Sequence, residues 1–153
     1  LAVGPEDLCW DVGAGTGSVS VELAFQAGAV WAVERDSAAC ALIRANREKF
    51  GAWKLRLVQG SAPAALDRLP APDAAFVGGS GGELPKILDA VRWANPKARV
   101  CVSAISLETL HAAMAELKTP EVTQISVSRS KPAGELHLLL AQNPVFLITG
   151  ALS

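Results

Sequence analysis

Cysteines are few, long apolar runs are missing and the net charge is close to zero, and each shortage narrows what this 153-residue chain can be. Cys9, Cys40 and Cys101 are the only cysteines; they have no metal-like spacing and fall inside predicted strands or a helix. They read as buried free thiols of a reducing compartment, with no disulfide and no metal site expected. No uninterrupted apolar stretch approaches the roughly 18 residues that a spanning helix needs, and the start has no basic segment leading into an apolar one. The expectation is a soluble, cytoplasmic chain with no membrane partner. A net charge of −1 leaves no broad basic face for nucleic acid, because Arg35, Arg44, Arg47, Lys49 and Lys54 are offset by Glu34, Asp36 and Glu48. There is no internal repeat, low-complexity tract or linker, so residues 1–153 read as one domain with enough apolar residues to bury a core. The chain opens on Leu1 and reaches its first strand within a few residues, which suggests a piece of a longer polypeptide without its N-terminal part. No Ser-His-Asp set or metal cluster is visible. His111, on a helix, and His137, in an apolar strand, read as hydrogen-bonded structural residues.

What is present begins with Leu8-Cys9-Trp10-Asp11-Val12-Gly13-Ala14-Gly15-Thr16-Gly17, an apolar strand that ends on an acid and runs into three alternate glycines. Such a loop lets backbone approach a ligand closely, and a helix N-terminus follows at Thr16 to Ser18. A dinucleotide fingerprint would place its third glycine at position 18, where serine stands; the glycine comes one residue early. Asp11 would repel a pyrophosphate and suits a ligand that brings a cation, so the sulfonium and ammonium of S-adenosyl-L-methionine fit better than NAD. A glycine-rich turn can also serve packing alone. The second strand, over 29–33, weighs against that, because it closes on Glu34, an acid able to accept both hydroxyls of a ribose.

Strand and helix then alternate. Val19, Leu23 and Ala27 mark a first helix ended by Gly28. Asp36 or Ser37 caps a second, whose face is Ala39, Leu42, Ile43, Asn46 and Phe50, with Gly51 beyond its end. Strands follow over 54–59, 73–77 and 99–103. A short helix through Leu66 and a longer one with Leu84, Ile87, Leu88 and Val91 stand between them. Ser106 caps a helix carrying Leu107, Leu110, Met114 and Leu117; Glu108 in its first turn and Lys118 at its end suit its dipole. Extended segments over 122–129 and 136–141 close the chain, joined through 130–134 as a hairpin. Trp10, Trp31, Trp53 and Trp93 read as core or edge packing. The pattern predicts an α/β fold with a parallel sheet, helices on both faces and ligands outside the carboxyl ends of the strands. Asp11 with its glycines, Glu34, the turn 60–62 and the glycine loop 78–82 all sit at such ends.

Those motifs resemble a class I S-adenosylmethionine-dependent methyltransferase. Asp11-Val-Gly-Ala-Gly-Thr-Gly-Ser-Val-Ser, Phe76-Val-Gly-Gly-Ser-Gly-Gly, Leu107-Glu-Thr-Leu and Asn143-Pro-Val-Phe together resemble the decarboxylating precorrin methyltransferases of cobalamin biosynthesis, over nearly the whole chain. The resemblance implies a Rossmann-like, mostly parallel seven-stranded sheet whose last strand is antiparallel. It also implies methylation of carbon 15 of a precorrin-6 tetrapyrrole with loss of the ring C acetate carboxyl, a homotetramer, and fusion in some bacteria to an N-terminal methyltransferase. Residue by residue, cofactor contacts would fall to Asp11, Gly13, Ala14, Gly15, Thr16 and Gly17 at the methionine end, Glu34 at the ribose and Ala62 at adenine. Ser61 stands where many methyltransferases place an acid. Gly79, Ser80 and Gly81 would face the acceptor, Ser80 as donor to a substrate carboxylate. Asn143-Pro-Val-Phe is similar to an amino-methyltransferase signature but lies far from strand four, and reads as a turn before a terminal edge segment. Competing readings are an NAD oxidoreductase, a methyltransferase of another small molecule or RNA, and a catalytically silent subunit.

Overall fold

The computed structural model describes residues 1–152. Its centre is β1 (Leu8–Val12), whose alternate side chains enter two different cores. Trp10 and Val12 face one side of the sheet; Cys9 faces the other, as the two-residue period of a strand requires. β1 pairs in parallel with β2 (Ala29–Glu34) on one side and β4 (Ala74–Val77) on the other. β3 (Leu55–Gln59) extends the sheet beyond β2, and β5 (Arg99–Ala104) extends it beyond β4. The chain therefore winds outward in two directions from β1 and β4, and the crevice at their carboxyl ends is the switch point where such sheets take ligands.

Helices α1 (Ser18–Gln26) and α2 (Ser37–Phe50) cover the core of Cys9, Val30, Ala32, Ile43 and Leu55. α3 (Leu84–Ala94) and α4 (Leu107–Glu116) cover the other, with Val77, Ile87, Leu88 and Val102. Capping follows the sequence closely: Asp36 accepts from the Ala39 N–H at 2.8 Å, Ser106 from the Thr109 N–H at 3.2 Å, and Gly51 closes α2 at φ +65°. A short 3-10 turn occupies Ala64–Leu66. The three cysteines are buried and free. Among the described residues no helix is long and apolar enough to cross a membrane.

Several expectations need correction. α2 buries only Cys40 and Ile43; Leu42 and Phe50 are exposed. α4 buries Ala113, leaving Leu107 and Met114 in solvent, and Lys118 opens the next strand instead of ending the helix. Trp53 and Trp93 are exposed, so only Trp10 is a core tryptophan. His111 and His137 are exposed, and their imidazoles make no hydrogen bond among the described residues. The largest difference is at the C-terminus. The segment over 122–129 divides between β6 (Lys118–Ile125) and β7 (Ser128–Ala133), and β7 with β8 (Leu136–Ala141) forms a separate two-stranded hairpin turning at Gly134. β9 (Val145–Ala151) is no edge segment: it inserts antiparallel between β5 and β6, giving the seven-stranded order β3-β2-β1-β4-β5-β9-β6. Ile148 explains the insertion, since it is fully buried in the α3–α4 core and an edge position would leave it half covered.

Candidate active site

The glycine loop after β1 is bound to both neighbouring strands. The N–H groups of Gly13 and Ala14 both donate to the Val33 carbonyl, at 2.9 and 3.2 Å, and the Gly78 N–H donates to the Val12 carbonyl at 2.9 Å. Gly13, at φ +71°, comes so close to the loop after β4 that a Cβ on it would lie 2.2 Å from the Gly79 carbonyl oxygen. Only glycine permits that approach. Gly17, at φ +79°, heads α1, and a Cβ there would meet the Ile43 side chain at 2.9 Å.

Glu34 is fixed by the backbone on either side of it. Its Oε2 accepts from the Gly15 N–H at 2.8 Å and its Oε1 from the Asp36 N–H at 2.9 Å. A carboxylate has about four acceptor positions, so these two bonds orient Glu34 and leave capacity facing the cavity that it lines with Gly13, Val33 and Ala62. The cavity holds about 230 Å³ and is closed on its far side by Gly79, Ser80 and Gly81. A second hollow of about 250 Å³ lies between Leu66 and α3, lined by Trp10 and Trp93, away from the strand ends. Volume does not separate the two; position at the switch point does.

Beneath the loop Asp11 is 1 % exposed. One of its oxygens accepts from the Ser20 hydroxyl of α1, and Oδ1 has no partner. Burial is the main reason its carboxyl is pushed up to about 6; the Ser20 hydroxyl and N–H pull the other way, and the negative charge of Glu34 raises it further.

Of the residues singled out from sequence, Gly13, Glu34, Ala62, Gly79, Ser80 and Gly81 meet on one cavity. Asp11, Ala14, Gly15, Thr16 and Gly17 lie behind or beside it: Gly15 holds Glu34, and the Thr16 carbonyl accepts from Asn46 at 2.8 Å. The sequence reading missed Asn46 as the tie between this loop and α2; a polar residue in the proposed apolar face was its signal. It missed Ser20, Arg35 and Glu83 too, and nothing in their local pattern marks them.

A carboxylate with spare acceptor capacity facing the cavity, a buried acid below with one oxygen unpartnered and two abutting glycine loops fit a nucleoside ligand that carries positive charge. Fold and site define the class: this is a Rossmann-like class I methyltransferase fold. The tRNA (m1A58) methyltransferase of Aquifex aeolicus shares it with a TM-score of 0.77 at 19% identity, over 97% of this chain and 63% of that one. The precorrin methyltransferase domain family matches residues 1–150, and the chain belongs to that family. It is 44% identical, over 147 residues, to a probable cobalt-precorrin-6B C(15)-methyltransferase (decarboxylating) of Pyrobaculum calidifontis, covering 91% of this chain and 75% of the relative. The C-terminal domain of precorrin-6Y C5,15-methyltransferase from Rhodobacter capsulatus superposes with a TM-score of 0.87 at 31% identity, over 99% of this chain and 83% of that one.

Proposed function

We propose that this chain is a cytoplasmic, S-adenosyl-L-methionine-dependent enzyme of cobalamin biosynthesis that methylates carbon 15 of a precorrin-6 intermediate and removes the ring C acetate carboxyl. The observation that carries this reading is the meeting of Glu34, Gly13 and the Gly79–Ser80–Gly81 loop on one cavity at the β1/β4 switch point, in a chain of the precorrin methyltransferase family. When bound, S-adenosylmethionine supplies an electrophilic methyl group. Glu34 would accept the ribose hydroxyls, Ala62 would pack on adenine, and the backbone of 13–17 would hold the methionine end above Asp11. Gly79 and Gly81, without side chains, would let a flat macrocycle lie against the loop, with the Ser80 hydroxyl donating to one of its carboxylates.

Breaking the bond between the acetate methylene and its carboxyl releases carbon dioxide and leaves the electron pair in the conjugated ring. No base need be supplied for that step. That electron pair would form the bond to the methyl group as the methyl's bond to sulfur breaks, and the chain's contribution is to hold acceptor carbon and methyl at attack distance. We further propose that the domain assembles as a tetramer through the β7–β8 hairpin and that the complete polypeptide carries an N-terminal methyltransferase partner. Incubation with labelled S-adenosylmethionine and precorrin-6, followed by mass spectrometry, should show one methyl gained and one carbon dioxide lost. Cofactor binding without turnover would leave a silent subunit, and NAD binding in place of S-adenosylhomocysteine would make the chain an oxidoreductase.

A further inference from the structure

The cavity holds two acids and one base. Glu34 spends an acceptor position of each oxygen on a backbone N–H, and Glu83 is paired with Lys86 at 2.7 Å. Asp36, which follows the base in sequence, caps α2 through the Ala39 N–H. Arg35 is the base, and among the described residues it has neither a hydrogen bond nor an ion pair. It is exposed at the end of β2, yet its side chain crosses to the opposite wall, where Nη1 lies 3.7 Å from the position a Cβ on Gly81 would take. Gly81 is at φ +57° and Gly82 at φ +87°, so the loop presents bare backbone beneath the guanidinium.

We propose that Arg35 anchors the acceptor: its guanidinium, beside Gly81 at the cavity mouth, pairs with a carboxylate of the tetrapyrrole. This rests on the function proposed above, in which the precorrin keeps acidic side chains besides the ring C acetate that loses its carboxyl. A planar guanidinium binds a carboxylate through two parallel bonds, fixing orientation as well as charge. An unpaired cation over side-chain-free backbone meets that need, because nothing beside it competes for its donors. The carboxylate is one that the reaction retains. Pairing the one that leaves would stabilise the ground state, whose charge has to disperse into the ring. Arg35 is therefore a positioning contact for the macrocycle, and the donor is held by other residues.

The test uses uroporphyrin I, a stable tetrapyrrole rich in carboxylates, and reads its binding by quenching of tryptophan emission in the wild-type chain, Arg35→Gln and Arg35→Lys. S-adenosylhomocysteine binding is measured by calorimetry on the same proteins. Loss of a charged hydrogen-bond partner should weaken uroporphyrin binding roughly tenfold or more in Arg35→Gln and less in Arg35→Lys, with S-adenosylhomocysteine affinity unchanged. Equal uroporphyrin affinity in wild type and Arg35→Gln overturns the inference alone. An equal fall in S-adenosylhomocysteine affinity overturns it too, by assigning Arg35 to the donor. No uroporphyrin binding by the wild-type chain overturns both the tetrapyrrole acceptor and the anchor.

Discussion

Two carboxylates within the site are treated oppositely by their surroundings. Glu34 is half-exposed and held by the Gly15 and Asp36 N–H groups; Asp11 is sealed under the loop with one oxygen unpartnered. Replacing Glu34 by alanine should weaken S-adenosylhomocysteine binding by about 1–3 kcal/mol, because the ribose hydroxyls lose a charged acceptor. Calorimetry measures this, and unchanged affinity in a folded variant would remove Glu34 from the ligand. Asp11 makes a pH prediction. Its carboxyl is raised from 3.8 to about 6, so between those values the native state holds a proton that the unfolded chain has released. Stability contributed by the protonated acid is full below the lower value and is lost as pH rises through the upper one. The two-unit gap corresponds to roughly 3 kcal/mol, and Asp11→Asn, uncharged throughout, lacks that slope. Urea unfolding near pH 4 and near pH 7 should show the variant gaining on wild type by about that amount between the two; parallel curves would mean that Asp11 is not desolvated. A charge kept at such a cost under a ligand loop accords with a role in attracting a cation. Glu34 was legible in the sequence because an acid closing the second strand has one geometric consequence. Arg35 was not, since nothing in Glu-Arg-Asp says which way the arginine turns.

Element by element, the caps and the glycine loops were legible because they are local: Asp36, Ser106 and Gly51 act within their own turns. Helix faces were less so. In α2 the apolar spacing of Leu42 and Phe50 pointed inward, but the neighbours that α2 packs against, α1, β2 and β3, reach only Cys40 and Ile43. The glycines themselves divide by what lies beside them. A methyl on Gly13 would collide with the Gly79 backbone, whereas on Gly15 it would meet nothing within 4 Å. Gly15→Ala should then cost only the left-handed backbone penalty, about 1–2 kcal/mol. Gly13→Ala must also push the two loops apart, and should lose S-adenosylhomocysteine binding and melt lower than Gly15→Ala. Thermal shift with and without the ligand compares them. Equal behaviour would mean that the contact between the loops is dispensable. Gly81→Val adds a β-branched side chain at φ +57°, beside Arg35 and clear of Glu34 and Ala62. Turnover should fall by about a hundredfold for a displacement of about 1 Å, while S-adenosylhomocysteine binding remains. Normal turnover would reduce the glycine to a requirement of the turn.

At the scale of the molecule, the parallel half of the sheet could be read from alternation alone, and the C-terminal third could not. Which strand lies inside depends on pairings between residues far apart in sequence: β9 is placed by Val102 opposite Ile148 and by Val122 opposite the same residue from the other side. No local period encodes that choice. The hairpin is the second consequence. Every residue of β7 and β8 is exposed, including Leu136, Leu138, Leu139 and Leu140 at 68, 51, 75 and 50 %, and Pro132 is tolerated because only one partner strand exists. A two-stranded ribbon is at best marginally stable in water on its own, and Leu136, Leu138 and Leu140, which alternate onto one face of β8, make an apolar surface that monomers rarely leave open. A second copy of the chain, presenting the same ribbon, would supply matching apolar cover under symmetry. Light scattering at micromolar concentration should therefore find an assembly, and Leu138→Ser with Leu140→Ser should shift it toward monomer. The hairpin lies outside the seven-stranded sheet and lines no part of the cavity, so S-adenosylhomocysteine affinity should survive in the double variant. Amide exchange gives the independent reading: the 128–141 ribbon should be protected in the wild-type assembly and exchange freely in the variant. A wild-type chain that scatters as a monomer with a protected ribbon would show that the hairpin is stable uncovered, and would remove the reason for assembly.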